Sequence, residues 1–479
     1  MLKSSLFRSL RTGTSFTRLK SSVSHDSKSI AALTTIAELA RKAEGDETIE
    51  VRGWVKRVSK TGGVVFAHIS DGLSTDTVQV VIPRSVATSI PLGSAIRARG
   101  QWRQSAGSQQ ACELTATEAS VLAKDSDPRY GSLNADQLRK MIPLRARSDS
   151  FAAVLRLRSR LVAETHRFFQ DSHFVYIDTP ILTANDCEGA GETFTVQCGM
   201  EPTTSSESSS SSTSFFGHDV FLSVSSQLHL EAVTAGISHV YTIARAFRAE
   251  KNQSSTHMSE FSMIEVEVAF CEDLDEMMDL VERYVRSMAT ALLGDADADQ
   301  EDADLRALTP FSDMTRTLVS SLTASTRIPR VRHADALEIL REIGHKLPPS
   351  GSLSRSAELA LVDHFKGPVF VTHFPSAHKP FYMRRNDEGE TESFDLLCPF
   401  VGELAGGSLR VPTALQMEQQ CSDGKLPHAL QWYAGIRDRG KPPSGGFGIG
   451  FERLIQTLLE IRNIKDTTAF PRWLKQCKC

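Results

Sequence analysis

Two strand-length runs, "HVYTIARAFRAE" (residues 239–250) and "FSMIEVEVAF" (residues 261–270), are joined by the polar stretch "KNQSSTHMS". Side chains alternate across a β-strand, so in the second run Ile264, Val266, Val268 and Phe270 form an apolar face. Phe261, Met263, Glu265 and Glu267 form the opposite one. In the first run Arg248 and Glu250 share a face with the small Ala244 and Ala246. Strongly apolar flanks suit a central strand, where an uncompensated charge is costly. Two antiparallel strands of this kind give a sheet with one face in a core and the other a floor for a polar ligand.

With 479 residues and 40% apolar content, the chain exceeds the roughly 250–300 residues at which single cores stop growing, and two or three domains are expected. No apolar run reaches the ~18–20 residues of a membrane-spanning helix, so no membrane partner is expected. The eight cysteines are scattered, without a CxxC pair of metal-ligand spacing, which argues against a zinc site.

The first 28 residues hold six Lys or Arg and a single acid, Asp26, and are rich in Ser and Thr. Leu2, Leu6, Phe7 and Leu10 fall on one helical face, as in an organellar transit peptide, with the mitochondrion ahead of the plastid. The remainder carries 48 Lys and Arg against 57 Asp and Glu, a net −9. A nucleic-acid partner must therefore be met by a local basic surface.

Such a surface lies at residues 51–104, where eight Lys or Arg oppose only Asp71 and Asp76. The segments "IEVRGWVKRVSK", "VVFAHISDG", "DTVQVVIP", "SAIRARGQWRQ" and "ACELTATEASVLA" alternate as five short strands with Gly-rich turns. That pattern predicts an N-terminal five-stranded OB-fold barrel at 46–125, which binds single-stranded nucleic acid by charge and stacking. Arg52 and Lys56 are the candidate phosphate contacts, and Phe66 and His68 the candidate stacking side chains. A polar hinge broken by Pro128 and Pro143 is expected at 126–147, and a catalytic domain at 148–479. A serine tract at about 200–215 reads as a disordered insertion in that domain.

Near the C-terminus "SGGFGIGFERLIQTLLEIRNIKD" runs from a Gly-rich strand into a helix, with Arg453 in the first turn, where it can clamp a phosphate. Between the two signals, "FDLLCPFVGELAGGSLR" offers Asp395 and Glu403 as hard oxygen ligands for Mg²⁺, with Arg410 nearby.

These residues carry a family resemblance. "FRAE…THMSEF" resembles motif 2 of the class II aminoacyl-tRNA synthetases, "GFGIGFER" resembles motif 3, and "FVYIDTPIL" after a long helix resembles motif 1. The resemblance implies an α+β fold class, the OB-fold barrel followed by a class II catalytic domain with an antiparallel sheet flanked by helices, and the barrel points to the aspartyl/asparaginyl subgroup. "TPILTANDCEGAGETF", "VSSQLHLEA", "KPFYMR" and "GELAGGSLR" look most like its asparaginyl branch. Many relatives have Arg before the motif 2 His, whereas Thr256 precedes His257 here.

The resemblance implies ATP-dependent ligation of L-asparagine to tRNA(Asn) through an adenylate, in organellar translation, with ATP and Mg²⁺ as cofactors. It implies that Arg248 and Arg453 are catalytic, and that Arg248, Glu250, His257, Phe261, Glu403, Gly450 and Arg453 contact ATP. Glu188, Gln227, Arg248, Glu265 and Arg410 would hold the amino acid, and Asp395 and Glu403 the metal. Aspartyl relatives place a Lys three positions after the Gln, where Leu230 stands here. An aspartyl-tRNA synthetase, discriminating or non-discriminating in its tRNA choice, is the alternative. A homodimer is expected through motif 1, with Leu155, Leu157, Leu161, Val162 and the strand ending at Pro180 supplying apolar surface.

Overall fold

The computed structural model describes residues 34–478, apart from residues 46, 88, 108–109, 129–132, 186–192, 198–214, 252–253, 294–302, 309–321, 323–325 and 422–425. The expected transit peptide, almost all of the serine tract and Glu188 lie outside the described residues.

Five strands form a closed barrel: β1 (Thr48–Thr61), β2 (Val64–Ser70), β3 (Val78–Pro83), β4 (Ala95–Gln104) and β5 (Cys112–Ala123), ordered β1-β2-β3-β5-β4. Alternation sets the barrel core. Val65, Ala67 and Ile69 of β2 point inward with Val80, Ile82, Ile96 and Trp102. Phe66 and His68 therefore stand on the outer face of β2.

The second unit is built on an eight-stranded sheet. Its strands are β6 (Val175–Tyr176), β9 (His239–Phe247), β10 (Glu260–Ala269), β11 (Arg330–Arg332), β12 (Val369–Thr372), β13 (Ser393–Cys398), β14 (Gly402–Leu409) and β15 (Ser444–Gly450). β7 (Leu182–Thr183) and β8 (Phe221–Leu222) pair separately. The order β11-β12-β13-β14-β15-β10-β9-β6 is antiparallel through the central six strands. The two edge strands are parallel to their neighbours, so the sheet is mixed rather than wholly antiparallel.

One face of this sheet is dry. Ile264, Val266 and Val268 of β10 pack on Met277, Val281, Tyr284 and Met288 of the helix Leu274–Leu293. The helix Asp149–Asp171 adds Leu157, Leu161 and Phe169 to the same core. At about 25 cal/mol per Å² of apolar surface, each such side chain contributes roughly 1.5–3 kcal/mol, and together they fix which face of β10 is left for polar work.

Three expectations change here. Phe270 does not continue the apolar face: β10 ends at Ala269, and Phe270 has φ +60° and is 75% exposed. Leu157 and Leu161 are buried in their own core and offer nothing to a partner. Lys56 turns toward the second unit, donating to Arg147 O at 2.9 Å and pairing with Asp149. Charge density alone does not tell which side of a barrel a lysine serves. The same seam holds Arg147 on Gly93 O and Asp125, and Arg156 on Gly72 O.

Candidate active site

The polar face of the sheet opens into a pocket of about 120 Å³ whose lining includes Arg248, Glu250, His257, Phe261, Glu403, Gly450 and Arg453. Seven positions spread over more than 200 residues of sequence thus converge. Register explains how: β10 lies between β9 and β15, with Phe261 opposite Ala246 and Met263 opposite Gly450. Strand β9 stops at Phe247, and the hairpin is held past its end by Arg248 N donating to Ser259 O at 3.0 Å. The Arg248 guanidinium stands 5.6 Å above the Phe261 ring.

His257 lies 3.9 Å from Glu250. Burial, reinforced by Arg453, pulls its imidazole pKa below the ordinary value. Thr256 is buried beside Ser254, with its hydroxyl 3.1 Å from the Ser254 hydroxyl. Arg453 sits in the first turn of the helix Phe451–Leu459 and donates to Glu403 O at 2.8 Å, its cation 3.7 Å from the Glu403 carboxylate. Its neighbour Glu452, which the sequence reading passed over, is buried and accepts from Arg158 at 2.9 Å and from Ser262 N at 2.9 Å. One carboxylate therefore ties the long helix, β10 and the C-terminal helix together.

A carboxylate cluster borders the pocket. Desolvation works to raise Glu403, but Arg453, Lys379 and Arg248 hold it below the usual range. Burial raises Asp395 to about 6 despite Lys379, whose ammonium lies 2.7 and 2.8 Å from its two oxygens. Glu358 is pushed up to about 7 by burial and by the Glu403 charge. A Cβ built on Gly406 would stand 3.3 Å from both Asp395 Oδ1 and Glu403 Oε1. The two carboxylates converge on space that only a glycine leaves open.

Three of the residues expected to hold the amino acid, Gln227, Glu265 and Arg410, lie in a second, sealed region. Gln227 opens the helix Gln227–Val233, and its Nε2 is buried with no hydrogen-bond partner among the described residues. Glu265 accepts from Ser225 Oγ and, with both oxygens, from Ser226 N at 2.9 and 3.1 Å; burial raises its pKa. Arg410 is 3% exposed, clasped by Glu267 and donating to Ser408 Oγ at 2.7 Å. Burial raises Glu267 to about 7, with Arg410 opposing. Leu230 is fully buried.

Sequence reasoning missed the layer beneath. Glu231 is inaccessible to solvent, 2.6 Å from Arg437 and 3.1 Å from Lys441, and it accepts the Tyr433 hydroxyl. The signal was an acid inside the apolar "QLHLEA" helix, a residue that needs buried cations as partners.

On the barrel, Arg52 is exposed and paired with Glu50 at 2.5 Å. Phe66 and His68 share its outer surface, but Lys56, committed to the seam, does not join them.

Residues 134–474 match the family described as tRNA synthetases class II (D, K and N), and residues 49–122 match the OB-fold nucleic acid binding domain. The chain is 36% identical to the asparaginyl-tRNA synthetase of Mus musculus, over 96% of this chain and 97% of that one. It is 34% identical to the "Probable asparagine--tRNA ligase, mitochondrial" of Dictyostelium discoideum, over 90% and 94%. Its fold matches the Pyrococcus horikoshii asparaginyl-tRNA synthetase complexed with asparaginyl-adenylate, with a TM-score of 0.80, 23% identity, and 93% and 99% coverage. Five-stranded barrel, mixed sheet and sequence agree: the chain belongs to the class II tRNA synthetases, in the asparaginyl-tRNA synthetase family.

Proposed function

We propose that this pocket joins ATP and L-asparagine into asparaginyl-adenylate, and that the acyl group then passes to the terminal ribose of tRNA(Asn). The observation that carries the reading is the convergence of Arg248, Arg453, Phe261, Glu250 and His257 on one cavity. Adenine stacks on Phe261, Arg248 neutralises the α-phosphate and the asparagine carboxylate, and Arg453 holds the γ-phosphate. The carboxylate oxygen attacks the α-phosphorus in line. The bond to the bridging oxygen breaks, and pyrophosphate leaves. Fixed cations aimed at the developing charge favour that transition state over the ground state. The ribose hydroxyl then attacks the acyl carbon and AMP departs.

Asp395 and Glu403 fit Mg²⁺, since both offer hard oxygens toward the space above Gly406. Among the described residues no group of three or more His, Cys, Asp or Glu could hold a metal, so phosphate and water would complete the shell. Magnesium, when bound, neutralises charge on the departing pyrophosphate.

Amide selectivity follows from the sealed region. Glu265 accepts from the asparagine amide and Arg410 donates to its oxygen, while Gln227 turns its free Nε2 to the substrate. An aspartate would meet Glu265 with like charge, and Leu230 supplies no countercharge. The barrel reads the anticodon through Arg52, Phe66 and His68.

Val175 and Tyr176 of the edge strand β6 are exposed, as are Pro180, Ile181 and Leu182 just after it, which favours a two-fold dimer there. Light scattering at micromolar concentration giving a monomer with full activity overturns it. The basic, acid-poor residues 1–28 favour import into mitochondria, which a fluorescent fusion tests.

The division of labour is tested by deletion. Removing residues 1–125 is expected to abolish charging of a tRNA(Asn) transcript while pyrophosphate exchange survives. A folded fragment without exchange contradicts the reading.

A further inference from the structure

Glu403 does not hold its place by strand pairing alone. In the β13–β14 ladder Leu396 pairs with Ala405 but Leu397 pairs with Glu403, so Leu404 is an extra residue, a bulge that breaks strict alternation and re-aims the strand end. The connecting turn is strained. Phe400 has φ +68° and Gly402 has φ +77°. A non-glycine residue in that region costs on the order of 1 kcal/mol, so something else must hold the turn.

The first turn of the helix Arg355–Phe365 does so from outside the pocket. Arg355 donates to Phe400 O and, at 3.4 Å, to Val401 O. Glu358 accepts from Glu403 N at 3.0 Å. A Cβ on Gly402 would lie 2.2 Å from Glu358 Oε2, so the carboxylate is seated directly against the backbone. Arg453 then takes Glu403 O at 2.8 Å from the pocket side. The Glu403 residue is thus gripped at its N–H from behind and at its C=O from in front. Behind the clamp, Leu361 and Val362 of the helix pack on Val369, Val371 and Leu397 in a separate apolar cluster, which gives the grip a rigid base.

We infer that Arg355 and Glu358 are positioning residues for the magnesium–nucleotide end of the site: they set the direction of the Glu403 side chain without touching substrate. The inference rests on the reading that Asp395 and Glu403 receive the cation, so the experiment separates the two.

Binding of Mn²⁺ in the presence of a non-hydrolysable ATP analogue, followed by electron paramagnetic resonance on the full chain, is compared for E358A, E358Q, R355A and E403Q, with thermal melts as a check on folding. E358Q keeps an acceptor for Glu403 N and is expected to bind within about threefold of the unsubstituted chain, whereas E358A, which loses that bond, weakens Mn²⁺ about tenfold. R355A falls between them, and asparagine KM is unchanged in all three clamp variants. Folded E358A with undiminished Mn²⁺ affinity, or with asparagine KM raised alongside it, overturns the clamp. E403Q with undiminished affinity overturns the metal reading beneath it.

Discussion

The two ends of the active-site face are built from the same materials and handled in opposite ways. At the end proposed for the nucleotide, the Arg453 and Glu403 side chains are 25% and 45% exposed and stand 3.7 Å apart. At the end proposed for the amino acid, Arg410 and Glu267 are 2% and 1% exposed, and Arg437 and Glu231 are 1% and 0%. Half-exposed charges on a held backbone stay open to a triphosphate, whose own charge and conformation vary through the reaction. Sealed, fully partnered charges cannot relax toward a wrong side chain. Their desolvation cost is met during folding, and what remains is a preset pocket. Discrimination between an amide and a carboxylate of nearly equal shape belongs at the rigid end.

The strongest way to break the comparison is to remove one buried charge. Glu267→Ala leaves Arg410 without its main partner and is expected to cost about 3–5 kcal/mol in urea unfolding. Replacing both, Glu267→Leu with Arg410→Met, should recover much of that stability while asparagine activation stays lost. At the open end the effects reverse. Arg453→Ala is expected to lower pyrophosphate exchange by ~10²–10³, with unfolding free energy changed by no more than about 0.5 kcal/mol. A large loss of stability there would contradict the contrast.

A subtler change sharpens the selectivity claim. Glu265→Gln keeps the shape but removes the charge; kcat/KM for asparagine should fall about 10-fold or more as a charge-assisted bond weakens, and exclusion of aspartate should be partly relieved. The smallest effect concerns pH. Glu358, pushed up to about 7 from an ordinary 4.5, binds a proton more readily folded than unfolded. Its contribution is therefore present below pH 4.5 and lost as pH rises through 7. Compared with Glu358→Gln, the unsubstituted chain should lose on the order of 1 kcal/mol more stability between pH 5 and pH 7.5 in metal-free buffer.

What the sequence disclosed follows the same line. Arg248, Glu250, His257 and Phe261 lie within 14 consecutive residues, and their alternation with apolar side chains announces a strand with a working face. The barrel was equally legible, because five short alternating segments separated by Gly turns leave few other closures. The sealed end was not. Glu231 meets Arg437 and Lys441 across some 200 residues, and nothing local to any of them says which charge it will find. Lys56 and Leu157 were misread for a related reason: composition gives the character of a side chain, while tertiary packing decides which neighbour it faces. The clamp from Arg355 and Glu358 was invisible too, since it depends on a bulge in a strand some 45 residues away.

The most direct test of the contrast is the ratio of kcat/KM for asparagine and aspartate in ATP–pyrophosphate exchange, measured on one preparation at pH 7. A sealed amide pocket is expected to prefer asparagine by ~10⁴ or more, because aspartate meets Glu265 with like charge while Arg410 is already clasped by Glu267. Activation of aspartate within about tenfold of asparagine would contradict the account, since a pocket that tolerant is not preset.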